Sequence, residues 1–337
     1  MRKQKIYYPE IDFIKAFAIM SVVILHLLVI GGHKEVLFKI ATAFHIWQAV
    51  PLFMFLFGLT LRVSVEKGSN AVQILSHRMT RLLIPLLNAY LIAFIIRYSI
   101  GYNNIIDWHI FIGLIPTPGM GTYFITLYLE TIIALVVLYY IVKRYSFYFV
   151  LFIAILISII GEFISYGINI KDMYLYSASI HRYIVFIVLG YYFFDYKYNK
   201  NYFLLMIFIV ISIFLLILFQ FSREPIWPYY LYESAKLWQF QHFPYAFYTL
   251  FLVSVIVYVY NKFLKSIQKN IGFILYIGKA SLHIYLTQIF VFFLIKQMQV
   301  SVDVKIQSIT FIFILTTGCL WFYMENIILQ KAKINAD

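Results

Sequence analysis

Ionisable side chains are scarce in this chain, and most lie between long apolar runs. Those inside the runs are therefore the candidates for chemistry, because a charge in hydrocarbon is costly unless it is used. His26 is the first. It shares the apolar stretch 11–31 with Asp12 and Lys15. Lys15 and His26 are eleven residues apart, which at about 100° per residue is three turns plus about 20°. They therefore share one helix face, roughly 16 Å apart along the axis. Asp12 precedes Lys15 by three residues, on that face, and can pair with it. One stripe carries a charged pair at one end and an imidazole deep in an apolar segment. A neutral imidazole has the chemistry of a general base. The plain alternatives are snorkelling for Asp12 and Lys15 and a packed, hydrogen-bonded histidine for His26.

Arg78 and Arg81 form a second constellation, at i and i+3 on one face. They stand just before Leu82-Leu83-Ile84-Pro85, where a span begins. Guanidinium groups fit phosphate bidentately, so the pair is a candidate phosphate clamp as well as a lipid anchor. Glu130, Glu162, Arg182, His45, His283 and Glu325 are further ionisable residues in or beside apolar stretches. With His26 they are consistent with a polar pocket opening outward, although each alone reads as structural. Lys279 and His283, at i and i+4, read as a helix-face pair. No Cys/His pair has metal-ligand spacing and Cys319 is the single cysteine, so neither a metal nor a disulfide is expected.

The elements that must position these residues are transmembrane helices. The chain has 337 residues, of which 63% are hydrophobic and 12% charged. A soluble domain carries about 25% charged residues, and no soluble fold of this size could cover so much apolar surface. The net charge of +13 would point to nucleic acid in a soluble protein, but here the basic residues punctuate apolar runs, so no nucleic-acid partner is expected. Residues 1–31 imitate a signal peptide, yet no small-x-small site follows the run, so cleavage is not expected. The 30 tyrosines and five tryptophans fit an interfacial belt without any ligand.

A span needs about 20 residues. Ten candidates follow, at roughly 11–31, 43–62, 80–100, 121–142, 147–168, 179–196, 202–221, 243–261, 273–296 and 304–327. If the N-terminus is cytoplasmic, inner segments hold 16 basic residues and outer segments 8. That bias predicts both termini inside. The expected fold class is thus all-α integral membrane, one domain over 1–337 with no soluble domain, in the plasma membrane. Residues 63–79 read as a short surface helix capped by Ser69-Asn70 and ended by Arg78. Residues 101–120, rich in Gly and Pro, read as a re-entrant or interfacial segment.

Five segments, in order, resemble the membrane-bound acyltransferase-3 family. They are Tyr8-Pro9-Glu10-Ile11-Asp12-Phe13-Ile14-Lys15-Ala16 through Leu25-His26, Val50-Pro51-Leu52-Phe53-Met54-Phe55-Leu56-Phe57-Gly58, the Arg-x-x-Arg element Arg78-Met79-Thr80-Arg81, Gly121-Thr122-Tyr123-Phe124-Ile125-Thr126-Leu127, and Gly278-Lys279-Ala280-Ser281-Leu282-His283-Ile284-Tyr285-Leu286-Thr287-Gln288. Phe57 stands where the family usually has serine, and Gln288 where its last motif usually has histidine. Glu130 lies about two residues from the register of a glutamate that many members carry in the fourth helix.

The resemblance implies an O-acyltransferase moving an acyl group, usually acetyl, from acyl-CoA to a hydroxyl of a cell-envelope glycan or glycolipid. Acetyl-CoA would be the donor substrate, and no bound cofactor is implied. In that reading His26 is the general base, and Lys15, Arg78 and Arg81 take the donor's phosphates. Asp12, His45, Glu130, Glu162, Arg182, His283, Tyr285 and Gln288 line or support the acceptor pocket. The oxyanion stabiliser is left unassigned, with Tyr285 and Gln288 as candidates. Two rival functions use the same residues. A transporter or flippase for a glycan or lipid-linked intermediate would have inverted repeats and broken helices. A non-catalytic partner in envelope-polysaccharide synthesis would tolerate loss of His26.

Overall fold

The computed structural model describes residues 8–31, 44–101, 110, 112–116, 121–167, 176, 178–193, 202–222, 242–299 and 303–334. Every regular element among them is helical. Eleven α-helices follow in chain order: α1 Pro9–Ile30, α2 Ala49–Glu66, α3 Ala71–Ser99, α4 Tyr123–Arg144, α5 Phe147–Gly167, α6 Ile184–Tyr191, α7 Tyr202–Ser222, α8 Ala246–Val259, α9 Gly272–Lys279, α10 Ser281–Gln297 and α11 Val304–Ile334. Short tight turns precede α2, α6 and α8, and a π turn at Tyr260–Leu264 follows α8.

Seven helical segments among the described residues are long and apolar enough to cross a membrane. An eighth forms if α9 and α10, bent by 71° about Ala280, count as one span. These eight correspond to eight of the ten expected spans. Of the other two, 202–221 is the helix α7, Tyr202–Ser222. The expected span 179–196 is a turn at Ile180–Arg182 followed by the eight residues of α6, and 194–200 lie outside the described residues. The outward faces are apolar: Leu87, Leu91 and Ile95 on α3, and Ile133 and Val137 on α4, are all more than half exposed. Apolar stripes at helical spacing turned away from the protein are surfaces for lipid. The molecule is an all-α, multi-pass membrane protein.

Two sequence expectations are corrected here. The surface helix at 63–79 does not exist as a separate element. Asn70 does cap a helix, with Gln73 N–H donating to Asn70 Oδ1 at 2.9 Å and Asn70 N–H to Gln73 Oε1 at 3.1 Å. The helix it caps runs on through Arg78, Arg81 and Pro85 to Ser99, so Arg78 ends nothing. Lys279 and His283 are not a face pair either, because the helix breaks between them and the i, i+4 geometry is lost. Most of the expected re-entrant segment lies outside the described residues. Its described parts are tied to α3 and α4: Tyr90 donates to Ile110 O, Arg97 to Pro116 O and Thr126 to Ile112 O.

The chain forms two compact units, residues 1–33 with 253–337, and residues 34–252. In the first, α1 packs on α9, α10 and α11, and α10 packs on α11. Gly278 lets α9 approach α1 closely, since a Cβ there would strike the carbonyl of Asp12. In the second, α6 packs on α2 and α5, and α4 on α2 and α3. A reciprocal glycine pair sets the α2–α6 approach. A Cβ on Gly58 would strike Ile187 O, and one on Gly190 would strike Phe55 O.

Candidate functional site

In the unit of residues 1–33 and 253–337, Asp12 and Lys15 form the anticipated pair, with Lys15 Nζ 3.2 Å from Asp12 Oδ1. His26 lies further along α1, its ring edge-on to Phe292 of α10 at 5.6 Å between centroids. Gln288, wholly buried on α10, is its polar neighbour. Neither amide atom of Gln288, nor Nδ1 of His26, reaches hydrogen-bond geometry with any described residue. All three atoms are buried. Leaving a buried polar group unbonded costs about 1–3 kcal/mol. An imidazole and a primary amide left open side by side are an arrangement for receiving a polar group.

Also in this unit, His283 Nε2 is 3.2 Å from Glu325 Oε2, and its ring is edge-on to Trp321 and Phe322. That contact makes Glu325 its structural partner. Tyr285 is buried on the same helix. Lys279 is exposed at the end of α9.

In the unit of residues 34–252, Arg78 Nη2 donates to Thr60 Oγ1 at 3.0 Å and approaches Phe57 O at 3.4 Å. Its guanidinium lies over the Phe57 ring at 5.6 Å, and Tyr128 packs edge-on to that ring at 4.6 Å. So Phe57, at the position where the resemblance leads one to look for serine, supplies an aromatic face for Arg78. Arg81 is exposed. The two arginines thus differ, one held against α2 and one open. His45 is half-buried at the start of the turn that leads into α2.

The same unit gathers Glu130, Glu162 and Arg182 around the turn Ile180–Arg182. Glu130 Oε2 accepts from the backbone N–H of Ile180 at 2.9 Å, so it pins that turn. Ser158 Oγ donates to His181 O at 2.6 Å. The His181 ring packs against Gly161, where a Cβ would collide with it. Glu162 is the hub. Tyr176 donates its hydroxyl to Oε2 at 2.9 Å, and Oε1 lies 3.2 Å from His181 Nε2 and 3.1 Å from His242 Nδ1. Arg182, almost wholly buried, lies over the rings of Tyr176 and Tyr183 at 4.8 and 5.3 Å. His242 stands just before the span-length segment Phe243–Ile267. Burial pushes its imidazole down to about 4, against the opposing pull of the Glu162 carboxylate. It is neutral at pH 7.

His181, His242, Tyr176 and Ser179 were not singled out from the sequence. They stand at or outside the edges of apolar runs, where polar residues are ordinary. The one available signal was the buried carboxylate itself, since Glu162 inside a span requires donors from elsewhere.

The fold defines a polytopic membrane protein with acid–base groups buried among its helices. A family model described as an acyltransferase domain matches residues 8–324. The chain belongs to the acyltransferase-3 family and is an acyltransferase. No curated protein and no solved structure matches it.

Proposed function

We propose that the protein moves an acyl group, acetyl in the simplest case, from acyl-CoA to a hydroxyl of a cell-envelope glycan or glycolipid. His26 acts as the general base. The observation that carries this reading is the open His26–Gln288 pair. A saturated histidine would be structural, whereas this one has a buried nitrogen ready to accept a proton from a hydroxyl. The side-chain amide of Gln288 has an N–H to offer a carbonyl oxygen or an oxyanion. Arg78 and Arg81 take the donor's phosphates. Proton transfer of this kind contributes 10²–10⁴-fold.

The family membership and the charge pattern support a plasma-membrane topology with both termini cytoplasmic. Reporter fusions at residues 70, 143 and 265 should then read as internal and those at 110 and 230 as external. An external reading at 70 would refute it. The helix break at Ala280 is a feature shared with transporters, so transport is the second reading to test. Purified protein supplied with labelled acetyl-CoA, with envelope glycans and lipids analysed by mass spectrometry with and without it, distinguishes the two. A mass gain of one acyl group on an acceptor supports acyl transfer. Translocation of an unmodified glycan, with no acyl gain, overturns it.

A further inference from the structure

We propose that Ser179, His181 and Glu162 form a nucleophilic centre in the 34–252 unit, at which Ser179 takes up the acyl group as an ester. The proposal rests on the acyltransferase reading for its donor and on the geometry of the turn for its site. Ser179 Oγ is 2.7 Å from His181 Nδ1, and His181 Nε2 is 3.2 Å from Glu162 Oε1. A carboxylate only accepts hydrogen bonds. Nε2 therefore carries the ring proton, and Nδ1 is left as a lone pair facing the Ser179 hydroxyl, which donates to it. Nucleophile, base and orienting acid stand in the order that activates a serine.

Two further features separate this from an ordinary turn contact. Ser179 occupies the cap position of the turn Ile180–Arg182, yet its side chain makes no cap hydrogen bond. The hydroxyl is directed to the imidazole instead of to the backbone that serine usually caps. The imidazole is also held from every side. Ser158 fixes its carbonyl, Gly161 its ring face and Glu130 the adjacent N–H, while Tyr176 and His242 fix the carboxylate that orients it. Ser179 itself is only half-buried, so its oxygen is reachable.

The step balances without further reactants beyond a thioester donor and a hydroxyl acceptor. Ser179 Oγ attacks the thioester carbonyl as its proton passes to His181 Nδ1. The C–S bond breaks, and the thiolate leaves with that proton as the free thiol. An acceptor hydroxyl then attacks the serine ester and gives up its proton. The ester C–O bond to Ser179 breaks, and Oγ recovers the proton.

The test uses the full-length protein in detergent and two readouts. An alkyl fluorophosphonate, which needs no CoA site, should label Ser179. Labelling should vanish in Ser179→Ala and slow by roughly 10²–10⁴-fold in His181→Gln, while His26→Gln labels as wild type. Peptide mass spectrometry after acetyl-CoA should show one acyl group on Ser179. His181-dependent labelling in a protein that transfers no acyl group would sustain the nucleophile and refute the acyl-CoA reading. Absence of His181-dependent labelling of Ser179, or full transfer activity in Ser179→Ala, overturns the proposal.

Discussion

His26 and His181 are both imidazoles packed among membrane helices, and they keep opposite company. His26 has an apolar ring, Phe292, at its edge and the amide of Gln288 as its polar neighbour. His181 is bonded at both ring nitrogens, to Ser179 and to Glu162, and the carboxylate is shared with Tyr176 and His242. The first site is incomplete by itself and bears the cost of unbonded polar atoms. In the second, His181 is saturated, bonded at both ring nitrogens, which fixes its tautomer. An open site is suited to receive a substrate, whereas a saturated one is suited to hold a reactive group in place. The difference predicts which substitutions cost activity and which cost structure.

The largest effect should fall on the open site. His26→Gln keeps a hydrogen-bonding side chain and removes the basicity. It should lower acyl transfer by about 10²–10⁴-fold at unchanged yield and melting temperature. Substantial transfer by His26→Gln, measured at matched expression, removes the general base from the mechanism and makes the two histidines equivalent.

At the saturated site the cost should appear in stability as well as in Ser179 labelling. Glu162→Gln replaces a buried carboxylate that accepts from Tyr176 and His181 and lies 3.1 Å from His242 Nδ1. Leaving a buried donor without its acceptor costs about 1–3 kcal/mol, so its melting temperature in detergent should fall below that of His26→Gln. An unchanged melting temperature would mean the network holds no part of the fold.

The helices and the open site were largely legible in the sequence; the saturated site was not. His26, Lys15 and Asp12 lie on one helix, so helical periodicity alone places them on one stripe, and the Asp12–Lys15 pair forms as that spacing requires. Glu162, Tyr176, Ser179, His181 and His242 come from three separate stretches, and only packing brings them together. Periodicity cannot see this, because the contact depends on α5 meeting the turn before α6 and on His242 at the entry to α8. The broken helix was hidden for another reason. Gly278-Lys279-Ala280-Ser281 contains no proline, and the bend is a tertiary choice that lets Gly278 close on α1. The surface helix at 63–79 was misjudged because a basic pair next to Pro85 resembles a boundary, yet the helix continues through both.

A smaller effect tests the donor side. Arg78 already spends Nη2 on Thr60 and its face on Phe57. Arg78→Lys keeps the charge and loses the planar fork, so acetyl-CoA affinity should fall roughly tenfold or more. Arg81→Lys, at an exposed position, should cost less. Unchanged affinity with both arginines replaced by alanine would return them to lipid anchoring.

The smallest effect has the opposite sign, and it separates the two sites most sharply. Gln288 is wholly buried, and neither amide atom is bonded to a described residue. Replacing such a group by an apolar one of similar size removes a desolvation cost and breaks no bond. Gln288→Leu should therefore keep or raise thermal stability, by about 1 kcal/mol, where Glu162→Gln lowers it. Activity should move the other way. Without the amide, nothing at this position can donate to an oxyanion, so transfer should slow while the fold gains. A protein idle at this position would show the stability gain with no loss of turnover. Destabilisation by Gln288→Leu would mean that the amide is bonded in the membrane, and that the open site is a saturated one like that of His181.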